Sequence, residues 1–491
     1  MKSKMSGKTR NDRARMLILL ASSAGVTLLL GGCGAPMTAT KNPIPAAQGT
    51  VTGGQQPLPN VSLQFYTTGS GSYGAAANTF GPAFATNAGT GSFSFPTLPA
   101  TCPAGNPEVF LVGSGGTPVG VGSNNPYIKL MVGLGPCSAF LTSNATPGYH
   151  ISLNELTTVA TVWSLAGFMT GPTNIGAPTT NATGLQNAFA NINEIVNVTN
   201  GQALTASGGV TPPTQTINAL GNILQNCINS AGGSPSDPTN GQTTGTACDK
   251  LMYLTTLPSP ATAPTDTATA AMIIAQHPGG NVANVSNSQY VSYLYDLQAT
   301  SPAFPSSLSP APTDWTLSVN YTTGGLASPQ SVAVDGLGNV WVTNKPSTGT
   351  GSVTELAIAG TATSAPVYTG NNYTTNVNSP YGVAIDTSNN AWITNTGDNS
   401  ITMFGPGGAS PVNYNSASLG LNTPEGVAID GAGNLWVVNN GNSTLSGITG
   451  LPSPGTPLAN SPYSGGGLNG PTSIAVNPVA ASSPVPSVVR K

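Results

Sequence analysis

One motif recurs in the last third of the chain, and its fixed internal spacing constrains the fold more than any other feature. Ser328-Pro-Gln-Ser-Val-Ala-Val-Asp335 runs on to Trp341-Val-Thr-Asn344. Ser379-Pro-Tyr-Gly-Val-Ala-Ile-Asp386 runs on to Trp392-Ile-Thr-Asn395, and Thr423-Pro-Glu-Gly-Val-Ala-Ile-Asp430 to Trp436-Val-Val-Asn439. A fourth start, Gly470-Pro-Thr-Ser-Ile-Ala-Val-Asn477, has no Trp after it. Pro329, Pro380, Pro424 and Pro471 lie 51, 44 and 47 residues apart, yet Pro to Asp and Asp to Trp are each six in the three complete copies. Val-Ala-Val/Ile reads as a buried inner strand. Asp followed by Gly-Asn or Asn-Asn reads as a tight turn that tolerates positive φ, and Trp-Val as the returning strand.

Ser352–Leu356 and Asn399–Phe404 supply a third strand in their copies, and about 45 residues with several strands is the size of a β-propeller blade. The pattern Pro-x-Gly-Val-Ala-x-Asp…Gly-Asn-x-Trp-Val resembles the NHL repeat, and the whole arrangement is similar to bacterial NHL-repeat lipoproteins with a long N-terminal region. That resemblance implies NHL-type propeller blades over residues 311–491. Residues from Asp314 onward suffice for about four blades, fewer than the six usual in that family. A partial or four-bladed propeller is therefore expected: a truncated or frame-shifted gene product, a closed ring of four, or a ring completed by a second copy. Arg490 and Lys491, after more than a hundred positions without a basic residue, favour truncation or a frame shift.

The N-terminus sets the compartment. Lys2, Lys4, Lys8, Arg10, Arg13 and Arg15 precede an uncharged run from Met16 to Leu30, which as a helix is about 22 Å long, too short for a bilayer core. Residues 1–32 read as a signal peptide. Leu30-Gly-Gly-Cys33 resembles the bacterial lipobox, which implies lipidation (a diacylglycerol with palmitate-type chains) on Cys33; an uncleaved membrane anchor is the alternative. Gly34, rather than Asp, implies outer-membrane sorting within the cell envelope, on the periplasmic or surface face. Residues 33–47 then form a lipidated tether, and the membrane is a partner through the lipid.

Charged residues are only 5% of the chain, with a net charge of −3. Removing residues 1–32 leaves six basic residues against fourteen acids, a net of −8. This excludes a polybasic nucleic-acid binder and a charge-stabilised coiled coil; near-normal apolar content excludes an acidic disordered chain.

Between tether and repeats two textures succeed one another. Residues 48–148 read as a β-sandwich-like domain: Val61–Phe65 and Phe93–Phe95 alternate, and Glu108–Val112 is a buried-type run. Their order resembles carboxypeptidase-regulatory-like modules. Residues 149–310 read as a small α-helical, disulfide-linked domain. Ser152 and Glu155 suggest a capping box, followed by stripes at Leu156, Val159 and Trp163; at Leu185, Phe189 and Ile192; and at Ile217, Leu220 and Leu224. Shorter helices are expected over 266–276 and 288–297. Cys102, Cys137, Cys227 and Cys248 allow three connectivities; proximity favours Cys102–Cys137 and Cys227–Cys248, and the spacings do not resemble a zinc site.

No phosphate loop, nucleophile elbow or His-Glu-x-x-His motif is present. His150 and His277 lie outside the blades. Asp335, Asp386 and Asp430 are expected as turn residues rather than a calcium ring, and Trp341, Trp392 and Trp436 as blade core rather than sugar platforms. No catalytic residue, metal or cofactor is expected. The chain reads as a non-catalytic binding or scaffold module for a protein or glycan ligand. The alternative is a metal-dependent propeller lyase or hydrolase of the streptogramin-lyase or lactonase type.

Overall fold

A computed structural model of the full chain describes residues 48–146, 148–233, 245–305, 308–359, 367–415, 417–449, 456–476 and 487–489. The signal segment, Cys33 and the tether lie outside the described residues. The protein is mainly β, with several antiparallel sheets and seven α-helices among the described residues. No helix among them is long and apolar enough to cross a membrane.

Val109–Val112 and Leu130–Val132 are apolar and buried without alternation, as strands covered on both faces must be. They lie in an antiparallel sheet in which Ser62–Thr67 pairs with Glu108–Ser114, and Glu108–Ser114 pairs with Lys129–Pro136. Seven helices follow: α1 (Cys137–Asn144), α2 (Glu155–Leu165), α3 (Ala182–Ile195), α4 (Thr214–Ile228), α5 (Ala247–Leu254), α6 (Thr267–Gln276) and α7 (Asn287–Asp296). Helix α2 is central, packing on α3, α4, α6 and strand Lys129–Pro136.

The expected boundary at residues 148/149 falls inside one hydrophobic core that runs from Val51 to Trp315. Strand Gln48–Gly53 pairs in parallel with His150–Leu153, so the residues after that boundary complete the sheet begun before it. Helical stripes too poor in charge for i,i+4 pairing find their stability by packing on one another and on strand Lys129–Pro136. Two expectations for the start of α2 shift accordingly. Ser152 belongs to the paired strand, and the cap is Asn154, which accepts from Thr157 N while Thr157 Oγ1 accepts from Asn154 N, both at 2.9 Å. Glu155 is buried and accepts from Gly54 N at 2.8 Å.

Strand Lys129–Pro136 forms one edge of its sheet, and threonines seal it. The amides of Lys129, Met131 and Gly133 donate to Thr267, Thr158 and Thr161 hydroxyls at 3.0, 2.9 and 2.9 Å. Neutral hydroxyls on α2 and α6 thus do what a further strand would do. The expected disulfides are both present: Cys102–Cys137 holds a loop to the start of α1, and Cys227–Cys248 joins α4 to α5. In the chain-entropy view each contributes about 3–4 kcal/mol.

The repeats form three four-stranded antiparallel sheets with strands in sequence order. The first holds Pro329–Val334, Val340–Asn344, Ser352–Ala359 and Val367–Tyr373. The second holds Pro380–Ile385, Ala391–Asn395, Ser400–Gly405 and Ala409–Tyr414; the third holds Pro424–Ile429, Leu435–Asn439, Thr444–Thr449 and Thr456–Pro457. Ser473–Ala475 then pairs antiparallel with Ser487–Val489. The inner strands of successive sheets pack side by side, and the described residues do not close into a ring.

Replacing Thr161 with Val keeps the shape but leaves the Gly133 amide buried without an acceptor. A loss of about 1–3 kcal/mol in urea unfolding is expected, with Thr161→Ser close to wild type; equal stability of Thr161→Val and wild type would contradict the edge-sealing role.

Candidate functional site

Each four-stranded sheet of the repeats, here termed a blade, is organised by its aspartate. Residues at positive φ (Gly338, Asn389 and Gly433) turn the chain so that the amides two and four positions on point back at the carboxylate. Asp335 Oδ1 accepts from Leu337 N and Asn339 N, and Oδ2 from Asn339 Nδ2 and Trp341 Nε1. Asp386 repeats this with Ser388, Asn390 and Trp392. Asp430 repeats it with Ala432, Asn434 and Trp436. The indole bonds measure 3.2, 2.9 and 2.8 Å. The clasped Trp is buried and meets a Tyr further along its repeat: Trp341 with Tyr373, Trp392 with Tyr414, Trp436 with Tyr463, centroids 5.7–6.0 Å apart. Burial opposes ionisation of Asp430, but bonds from Trp436, Asn434 and Ala432 outweigh it and hold the carboxyl below its usual range. Pro380 and Pro424 open their inner strands from buried positions, Pro329 from an exposed one. The repeated Asp carboxylates and Trp indole N–H groups are thus spent on one another, while the rings of Trp341 and Trp392 pack against the next sheet.

A second cluster recurs three residues after each Trp. Asn344, Asn395 and Asn439 are fully buried and donate to paired hydroxyls on the third strand: Ser352 and Thr354, Ser400 and Thr402, Thr444 and Ser446. One residue earlier, Thr343 donates to Tyr381 O at 2.6 Å and Thr394 to Glu425 O at 2.5 Å, tying each blade to the next. Val438 stands at this position in the third blade and has no hydroxyl.

The blade surfaces are unequal. Val383 and Ile385 of the second blade pack with Trp341 and Val353 of the first, and Val427 and Ile429 of the third pack with Trp392 of the second. Their counterparts in the first blade, Val332 and Val334, are 63% and 60% exposed, and Leu337 in the adjoining turn is 60% exposed. One blade-stacking face is therefore open.

His150 and His277 are not brought together with these residues: His150 Nδ1 lies 2.7 Å from Thr199 O, and His277 caps α6. No group of three or more His, Cys, Asp or Glu able to hold a metal occurs among the described residues.

Sequence alone marks Glu108 only as the first residue of a buried-type run. The residue is 2% exposed, and neither carboxyl oxygen has a hydrogen-bond partner in the protein. Its backbone is fixed to Thr68, with Thr68 N donating to Glu108 O at 2.9 Å. Burial pushes its carboxyl up to about 8. Glu108 forms part of the wall of a cavity of about 340 Å³ between the sheet and the first turn of α3. An acid opening an apolar strand was the available signal.

No family model matches the chain, and no curated protein matches it. Among solved structures the chain is similar to a catalytically inactive virginiamycin B lyase from Staphylococcus aureus with quinupristin: 17% identity, TM-score 0.25, covering 32% of this chain and 47% of that one. A streptogramin B lyase matches at 16% identity and TM-score 0.25, over 32% and 46% of the two chains. The extracellular domain attributed to a hybrid two-component system of B. thetaiotaomicron matches at 14% and 0.21, over 27% and 17%. These neighbours are propeller-type proteins and the likeness is weak; the chain spans less than half the length of each.

The depressed Asp430 carboxyl stabilises the fold above its unfolded pKa, and this contribution is lost as pH falls through the folded value. Trp fluorescence should report weakening of the third blade on acidification. Asp430→Asn should lose about 2 kcal/mol at neutral pH and show a shallower acid dependence; wild-type stability in Asp430→Asn would contradict the clasp.

Proposed function

We propose that the protein is a non-catalytic, lipid-anchored cell-envelope protein, similar to bacterial NHL-repeat lipoproteins, whose NHL-type propeller region is a binding or scaffold module. The observation that carries this reading is the open stacking face of the first blade at Val332, Val334 and Leu337. The same face on the second blade is covered by an aromatic and aliphatic sheet surface from the first. The partner is accordingly a protein that presents such a surface; a patch of Val and Leu offers no polar groups or rings for a glycan. Each repeated aspartate is consumed by four donors, and residues 311–491 contain no histidine, which supports binding over a lyase role. Two disulfides fit an oxidising extracytoplasmic compartment, in keeping with lipidation at Cys33.

Two measurements test this. A photo-reactive residue at Val334 in intact cells should give a discrete protein adduct that Val332→Glu abolishes and that the same probe at Ala432, the third blade's counterpart of Leu337, does not give. Retention on a glycan array without a protein adduct, or stoichiometric metal with turnover of a cyclic depsipeptide, would contradict it. For the anchor, Cys33→Ala should move the protein from the membrane to the soluble fraction; persistence in the membrane would exclude lipid anchoring there.

A further inference from the structure

We infer that the cavity walled by Glu108 binds a small organic cation, an ammonium or guanidinium group on a short aliphatic stem, with the Glu108 carboxylate as its counter-ion. Three observations lead to this site. A volume of about 340 Å³ lies within the range of small-ligand cavities. Glu108 is the only ionisable side chain among the lining residues; the rest of the wall is neutral, with amides and hydroxyls such as Asn78, Thr179 and Gln186 beside Pro107 and Leu185. Both carboxyl oxygens lack any partner, although a buried acid without one is costly to retain.

The chemistry of the wall selects the ligand. An anion would meet no positive side chain and one carboxyl group. A cation would meet acceptor oxygens from the neutral residues and a single acid able to neutralise it, while the apolar residues accommodate the stem. Beyond residue 32 the chain carries a net charge of −8, which also favours cations over anions at its surface. The carboxyl oxygens are shielded from solvent in the free protein, so binding requires the Glu108 side chain to turn toward the cavity. At pH 7 the group is mostly protonated, and pairing with a cation ionises it; the proton leaves to solvent as the ion pair forms.

A free amine and the end of a lysine side chain share this chemistry, and calorimetric titration of the full chain with butylammonium and with Nα-acetyl-lysine amide separates them. Saturable binding is expected, with release of about one proton per ligand seen as a dependence on buffer ionisation enthalpy. Tighter binding of butylammonium assigns a free amine, and tighter binding of the lysine derivative assigns a side chain of a partner; either supports the site. Glu108→Gln should weaken binding at least about tenfold and abolish proton release. Ala182→Trp, at the exposed first turn of α3, should block the cavity without touching the core. Absence of binding by the wild-type protein, equal binding by Glu108→Gln, or equal binding of neutral butanol would overturn the assignment.

Discussion

The blade array depends on a carboxylate that accepts four hydrogen bonds at once. Asp335, Asp386 and Asp430 each hold two turn amides, an Asn side chain and a Trp indole. The turn fixes where the second strand begins, and the indole bond fixes how the Trp is presented to the aromatic and aliphatic residues between blades. A hydroxyl or amide at the aspartate position could not accept four bonds, which is the physical reason the residue recurs. Placement of the clasp inside the sheet also explains why a carboxylate in every blade does not amount to a catalytic or metal site.

The rest of the molecule meets the same demand mainly with neutral groups. One salt bridge, Lys129 with Asp266 at 2.8 Å, is found among the described residues. Buried polar demand is met instead by neutral groups: Asn344, Asn395 and Asn439 within the blades, Thr343 and Thr394 between them, and Thr158, Thr161 and Thr267 along the edge of the N-terminal sheet. The richness in Thr, Ser and Asn is therefore interior chemistry as well as surface coating. Glu108 stands out against it as a buried acid whose carboxyl oxygens have no hydrogen-bond partner.

The blades were legible because their constraint is local: Asp, turn and Trp lie within six residues, so spacing alone reveals the hairpin. The fourth strands, such as Val367–Tyr373 and Ala409–Tyr414, share only a closing Asn-Tyr whose Tyr lies 32 and 22 residues after the Trp, and they are held by pairing to the third strands, so no fixed spacing marked them. The two disulfides followed from proximity. What the sequence concealed was non-local. The parallel pairing of Gln48–Val51 with His150–Leu153 joins segments about a hundred residues apart, and only that pairing shows that strands and helices share one core and that the cap of α2 is Asn154. Glu108 was hidden for the same reason, since its significance lies in a cavity formed with α3.

The direct test of the structural role of the repeated carboxylates is hydrogen exchange of the indole N–H groups, followed by nuclear magnetic resonance and assigned by single Asp→Ala variants. A clasp at each blade predicts slow exchange at Trp341, Trp392 and Trp436, with Asp386→Ala releasing Trp392 and leaving Trp341 and Trp436 protected. Fast exchange at the three indoles in the wild-type protein, or protection at Trp392 that survives Asp386→Ala, would contradict it.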